Sequence, residues 1–363
     1  MDSHETEGIK LNQLESDRSV FFNGKPFFTY LFIVIQFVFF LLMEAAGGSE
    51  NTATLIKFGA KINPLIIDGE WWRFILPVFI HIGFLHLFMN SIALFYIGPL
   101  VERIFGNTRF LFIYLFAGFA GSLASFVFSP HLSAGASGAI FGLFGSLLYF
   151  GIIFPKLFFR TMGMNILVVI GINLAFGFAM PSIDNAGHIG GLIGGFLATG
   201  IMHFPKKKKL PLQLLFLLVT SLLVTGLLYW GYGESTRMED VESSLVLAQT
   251  YVEEEEFDKA HDVLKNAEKH SKGSDELLFM LSYIELKKGL VEDARKHLQQ
   301  VIKINPQLHE AYYNLALIYL TEENLTEAKK LAESALRLEP DRKEYQDILN
   351  KVNKHLTGNS VKQ

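Results

Sequence analysis

The sequence has no cysteine among its 363 residues. Disulfides, zinc–thiolate sites and a cysteine nucleophile are therefore excluded, and the redox compartment is left unread. Carboxylates are almost as scarce over a long stretch: between Trp71 and Trp230 only Glu102 and Asp184 carry one. Half of all residues are apolar and 34 are phenylalanine. A long segment this poor in acids and this rich in apolar side chains reads as membrane-embedded. Beyond Gly231 acids outnumber bases, and the chain there reads as water-soluble. The net charge of −4 averages two different solvents and excludes nothing. The length allows two domains.

What is present is a series of apolar runs. A helix needs ~20 apolar residues to cross the hydrocarbon core. Runs of that kind are expected at 27–46, 80–101, 110–128, 136–154, 164–180, 186–204 and 212–230. Residues 1–24 are polar, and the run that follows is too long for a signal peptide, so they read as a tail. The paired Trp71 and Trp72 at the edge of apolar sequence suggest an interfacial anchor. Basic residues favour cytoplasmic loops. Alternate loops hold Arg103 and Arg109, then Lys156 and Arg160, then the lysines at 206–209, whereas the intervening loops have no base. The expectation is a cytoplasmic N-terminus, seven crossings and an extracellular C-terminal part. The lysine run is read as a stop between two spans and not as a nucleic-acid site.

The C-terminal part repeats. Ala260, Ala294 and Ala328 are spaced by 34 residues, as are Pro306 and Pro340, and Leu264 matches Leu298. The third unit reads Tyr312, Leu315, Ala316, Tyr319, Ala328, Ala335, Pro340. This period resembles tetratricopeptide repeats (TPRs), which are helix pairs stacked into a solenoid. A capping helix is expected at 341–356. The acid run at 253–256 reads as a solvated helix end.

Chemistry concentrates around Gly135-Ala136-Ser137-Gly138. Small residues by themselves serve close helix packing. Ser137 gains meaning only if a base and oxyanion donors lie at the same depth. In the deduced topology the second, fourth and sixth spans all begin at the outer face. Ser137 opens the fourth span, His188 opens the sixth, and His81, His86 and Asn90 open the second, the last two sharing one helix face. Such groups are costly inside a membrane, and their clustering points to function. The set suits acyl transfer. A histidine activates the serine, and fixed donors hold the developing oxyanion, helped by the helix start at Ser137. Asp184 is read as a solvated turn residue, which leaves a dyad. Glycines four apart (Gly138/Gly142, Gly187/Gly191, Gly190/Gly194, Gly191/Gly195) would let the fourth and sixth helices approach.

Taken in order, Trp72-Arg73, His81-x4-His86-x3-Asn90, Glu102-Arg103 with Gly106, Gly135-Ala136-Ser137-Gly138 and Gly187-His188 resemble the rhomboid intramembrane serine proteases over about half the chain. The resemblance implies Ser137 as nucleophile and His188 as general base and acid. It places His86 and Asn90 with the Ser137 backbone N–H in the oxyanion hole, and gives His81 a supporting role. Trp72 and Arg73 would shape a membrane-embedded loop, and Glu102 with Arg103 would stabilise the turn between the second and third spans. Phe141 stands where the family often has a tyrosine stacked on the histidine. The implied substrates are transmembrane proteins, cut near the outer face, with no metal or cofactor.

The fold class expected is thus all-α: a six-helix membrane bundle plus a seventh helix, then a TPR α-solenoid. Its divisions are a tail 1–24, a protease domain 25–205, a basic linker and seventh span 206–230, a linker 231–243, three repeats with a cap 244–356 and a tail 357–363. The expected location is the bacterial plasma membrane, with the lipid bilayer and a protein at the repeats as partners. A non-catalytic client binder or quality-control adaptor is the competing reading. A transporter would place its polar groups near the midplane in inverted repeats, and neither feature is seen.

Overall fold

The computed structural model describes residues 25–180, 183–205, 209–233, 241–270 and 273–359. The expected tail 1–24, the lysines at 206–208, most of the expected linker (234–240) and residues 360–363 lie outside them. The chain divides into two compact units, Met1–Thr236 and Arg237–Gln363. Helices dominate both, and no strand occurs among the described residues.

In the first unit α1 spans Phe28–Ala45. A long loop follows, carrying α2 (Thr52–Phe58), α3 (Asn63–Ile67) and two 3-10 turns at Trp71–Phe74 and Leu76–Phe79. Local sequence accounts for α2: the Asn51 side chain accepts the Thr54 N–H at its start, and Gly59, at φ 102°, stops it in a left-handed conformation. Then come α4 (Gly83–Phe105), α5 (Asn107–Phe128), α6 (Ser137–Ile153), α7 (Pro155–Thr161), α8 (Gly163–Ala179), α9 (Asn185–Met202) and α10 (Leu210–Gly231).

Two expectations need correction. The second span was expected from residue 80, but α4 starts at Gly83 because Ile80 and Ile82 are extended after the Pro77-containing turn. His81 therefore precedes the helix. The fifth span is not straight either: Pro155 opens α7, and α7 and α8 are bent by 72° across Met162. Among the described residues four helices are long and apolar enough to cross a membrane (α1, α4, α5 and α10), and the bent pair makes up to five. The helices that open with Ser137 and just before His188 are not among them. The former has 17 residues. The latter is glycine-rich, and it packs chiefly against α5 and α6.

An aromatic core holds this unit together. Phe32 stacks on Tyr114 at 4.4 Å between ring centroids, and Phe105 on Phe204 at 5.1 Å. Each such pair contributes ~0.5–1.5 kcal/mol beyond its buried area. Lipid-type exposure falls on one face of α4, where Phe84, Leu85, Phe88, Met89, Phe95 and Tyr96 are exposed.

The second unit contains α11 (Val241–Glu253), α12 (Phe257–His270), α13 (Asp275–Lys288), α14 (Val291–Ile304), α15 (His309–Thr321), α16 (Leu325–Leu338) and α17 (Lys343–Asn359). Consecutive helices pack as three hairpins closed by α17. Ala260, Ala294 and Ala328, which set the 34-residue period, are fully buried, because a larger side chain would force each hairpin apart. One position breaks the repeat. Tyr251 and Tyr319 are matched by Glu285, a buried carboxylate. Its Oε2 lies 2.7 Å from His297 Nδ1, and His297 Nε2 lies 3.1 Å from Glu268 Oε1. Burial disfavours the charged form of His297, but hydrogen bonds and attraction to Glu285 and Glu268 outweigh it and hold its pKa above the usual histidine value. Burial likewise pushes Glu268 up, yet Lys265 and His297 bring it below the usual carboxylate value.

Candidate active site

Ser137 is the first residue of α6 and His188 lies in the first turn of α9. Ser137 Oγ and His188 Nε2 are 2.8 Å apart. The glycines explain how two backbones permit this. A Cβ at Gly191 would fall on the Gly138 carbonyl, and one at Gly195 on the Gly142 carbonyl. From the side of α5, a Cβ at Gly121 would lie 2.8 Å from the Gly187 oxygen. All three helices thus meet through hydrogen atoms alone at this level, and any side chain would separate serine from histidine.

The imidazole is held without a carboxylate. His188 Nδ1 has no hydrogen-bond partner among the described residues. Instead the ring lies flat on Phe141, with centroids 4.3 Å apart and planes within 10°. Asp184, half-buried before α9, does more than turn the chain: its Oδ1 accepts the Gly187 N–H at 2.8 Å and caps α9.

His81, His86 and Asn90 approach from α4 and the turn before it. His81 is buried, and its Nε2 accepts the Ala136 N–H at 3.3 Å, fixing the backbone just before Ser137. The His86 ring stands against Gly135. That glycine has φ 135°, and a Cβ there would come within 2.8 Å of the ring. Both constraints demand glycine at this position. His86 Nδ1 accepts the Ile82 N–H at 3.4 Å, and Asn90 Nδ2 donates to the His86 carbonyl at 3.0 Å. Asn90 is thus tied to its own helix, beside the site.

The remaining expected residues frame the site. Arg73 is buried, donating from Nη1 to the Ile56 and Ala60 carbonyls at 2.9 and 2.8 Å and pairing with Glu70 at 2.6 Å. Trp72 is exposed and packs edge-on against Trp71. Glu102 does not serve the turn expected of it. Its carboxylate accepts the N–H groups of Phe27, Phe28 and Thr29 and the Thr29 hydroxyl, all within 2.7–2.9 Å. It thereby caps α1 and ties it to α4; the helix start, rich in unpaired N–H groups, favours a negative charge. Arg103 is exposed. Lys61, which none of the motifs includes, is completely buried and donates to carbonyls of the loop that leads to Ser137. A lysine between Ala60 and Ile62, in a mostly apolar stretch of the loop, was the signal the sequence offered.

A rhomboid domain model matches residues 68–205, and a tetratricopeptide repeat model matches 251–307 and 286–352. Rhomboid protease GluP of Bacillus subtilis (strain 168) is 46% identical over 308 residues, covering 85% of this chain and 60% of that protein. Putative rhomboid protease YdcA of the same bacterium is 35% identical over 190 residues, which is 51% of this chain and 92% of the relative. The chain belongs to the rhomboid family. RHOMBOID-like protein 5 of Arabidopsis thaliana is 40% identical over 148 residues, 39% of this chain and 48% of that one. The chain thus spans about 60% of the length of GluP and about half that of the plant rhomboid. With its rhomboid domain and apolar helices, it is an integral membrane protein carrying TPR repeats.

Proposed function

We propose that this rhomboid is an intramembrane serine endopeptidase that cleaves transmembrane segments of other proteins near the outer face of the membrane, by a Ser137–His188 dyad. The observation that carries this reading is the 2.8 Å separation of Ser137 Oγ and His188 Nε2. Neutral His188 takes the hydroxyl proton as Ser137 attacks the scissile carbonyl, then returns it to the leaving amine. The tetrahedral oxyanion forms at the start of α6, where the Ser137 N–H and the positive helix end stabilise it. His86, standing over Gly135, and Asn90, one turn further along α4, supply side-chain donors after small rotations of the groups now bonded within their own helix. Such donors typically contribute ~2.7–4 kcal/mol each.

The substrate helix must unwind to expose its carbonyl, so helix-weakening residues at the cut favour it. The N-terminus is cytoplasmic and the repeats extracellular, as the basic residues at Arg103, Arg109, Lys156 and Arg160 suggest. The repeats recruit a protein partner or substrate.

The test is cleavage of a panel of single-span substrates by purified wild type, Ser137→Ala and His188→Ala in detergent. Wild type cuts and both variants fall to background. Equal cutting by Ser137→Ala, or no cutting by wild type, sinks the reading and leaves client binding. For topology, a single cysteine placed at Ser334 of this cysteine-free chain reacts with an impermeant maleimide on intact cells. Labelling only after lysis reverses the orientation.

A further inference from the structure

Lys61 is 0% exposed, although its long side chain ends in an amino group with three polar hydrogen-bonding positions. A buried ammonium is expensive unless oxygen atoms surround it. Its Nζ donates to the Ser129 carbonyl at 2.6 Å and the His131 carbonyl at 3.1 Å. Ser129 caps the C-terminus of α5, where carbonyls lack helical partners and the helix end is negative. The peptide units pair as well. Lys61 N donates to Ser133 O at 2.8 Å and Ser133 N to Lys61 O at 3.0 Å, an isolated antiparallel bridge. Asn63 adds a bond from Nδ2 to the Phe126 carbonyl at 3.2 Å.

These contacts bind the first loop to residues 129–133, which lead directly into the catalytic turn. Two residues beyond Ser133, Gly135 N donates to Pro77 O at 2.9 Å, and Ala136 N donates to His81. Lys61 is itself anchored from behind, since Arg73 holds the carbonyl of the neighbouring Ala60. Two buried basic side chains therefore act in series, Arg73 on residue 60 and Lys61 on residues 129–133, and the chain segment they fix ends at Ser137.

We propose that Lys61 is a positioning residue for the nucleophile, holding the 129–135 loop so that the Ser137 hydroxyl and N–H keep the geometry that His188 and the oxyanion require. The proposal rests on the protease reading, and deepens it. It demands a long side chain that donates to two carbonyls, so arginine substitutes in part and an isosteric apolar chain does not. A displacement of about 1 Å at a reacting group costs roughly 100-fold in rate.

Two measurements on the full chain in detergent test it. The first is hydrogen exchange of the 129–136 peptide, which does not depend on activity. Lys61→Met accelerates exchange there about tenfold or more while α5 and α6 keep wild-type protection, and Lys61→Arg stays near wild type. The second is substrate cleavage. Lys61→Met lowers kcat about 100-fold with KM within twofold, and Lys61→Arg recovers at least a tenth of wild-type kcat. Wild-type kcat in Lys61→Met, or a loss confined to KM, overturns the proposal. Should Lys61→Met fail to fold, Ser133→Pro removes the amide donor across the bridge, and also fixes φ at that residue. It carries the same expectation, and a folded Ser133→Pro with wild-type kcat likewise overturns the idea. If wild type cleaves nothing, the protease reading fails, and the exchange data alone decide whether Lys61 fixes the loop.

Discussion

Phe141 and His188 show how a residue without a polar handle can hold an imidazole in place. The ring planes lie within 10° of each other, so the imidazole is restrained against rotation although its Nδ1 has no hydrogen-bond partner among the described residues. A stacked aromatic contact contributes ~0.5–1.5 kcal/mol. Phe141→Ala is therefore expected to lower kcat about three- to tenfold through ring disorder, whereas Phe141→Tyr keeps the stack and wild-type kcat. Steady-state cleavage by the two variants decides the matter: a wild-type rate in Phe141→Ala would remove the ring from the mechanism. His81 makes a related point. It supports the site by accepting one backbone N–H, a role that residue type alone does not specify.

Among the elements, the contact of α6 with α9 sets the distance between Ser137 and His188. Gly191 faces the Gly138 carbonyl with no room for a methyl group, and Gly195 faces the Gly142 carbonyl in the same way. Gly191→Ala should push α9 outward by an ångström or so and cost roughly 100-fold or more in rate. Labelling of Ser137 by a fluorophosphonate should slow in parallel. By contrast Gly171→Ala in α8, where nothing lies within 4 Å of the added methyl, should leave both rates unchanged. Equal effects at the two sites would refute close packing as the cause. The bend between α7 and α8 and the short loop helices α2 and α3 have no part in the apolar periodicity; α2 is marked instead by its local cap and stop, Asn51 and Gly59.

The whole molecule joins two units that obey different solvents. In the repeats, the Glu285–His297–Glu268 cluster couples stability to pH. His297 has a raised pKa in the folded state, so its contribution is complete below the unfolded value of ~6.5 and fades as pH rises through the folded one. Glu268 has a lowered pKa, so its contribution is complete above ~4.3 and fades as pH falls through its folded value. Repeat-unit stability should therefore plateau between about pH 4.3 and 6.5 and decline on the alkaline side. Limited proteolysis of the full chain across pH 5–9, with His297→Gln as control, checks this. The variant should lose the alkaline decline; if it keeps the wild-type profile, another group is responsible.

The sequence by itself determined much of this. The 34-residue spacing of Ala260, Ala294 and Ala328 specified stacked helix pairs, because only a small residue fits each hairpin crossing. Apolar runs marked the membrane helices, and motif order brought Ser137 and His188 forward as a pair. These are local or periodic properties, and they survive translation into a linear string. Tertiary structure decided what depends on direction and contact. It set the start of α4 after His81, turned Glu102 from its own turn to the first helix, and made Asp184 a helix cap. It also buried Lys61 among carbonyls 68 and 70 residues away. No spacing rule contains such partners, because a hydrogen bond forms with whichever carbonyl folding leaves unpaired, and that is known only when the chain has closed on itself.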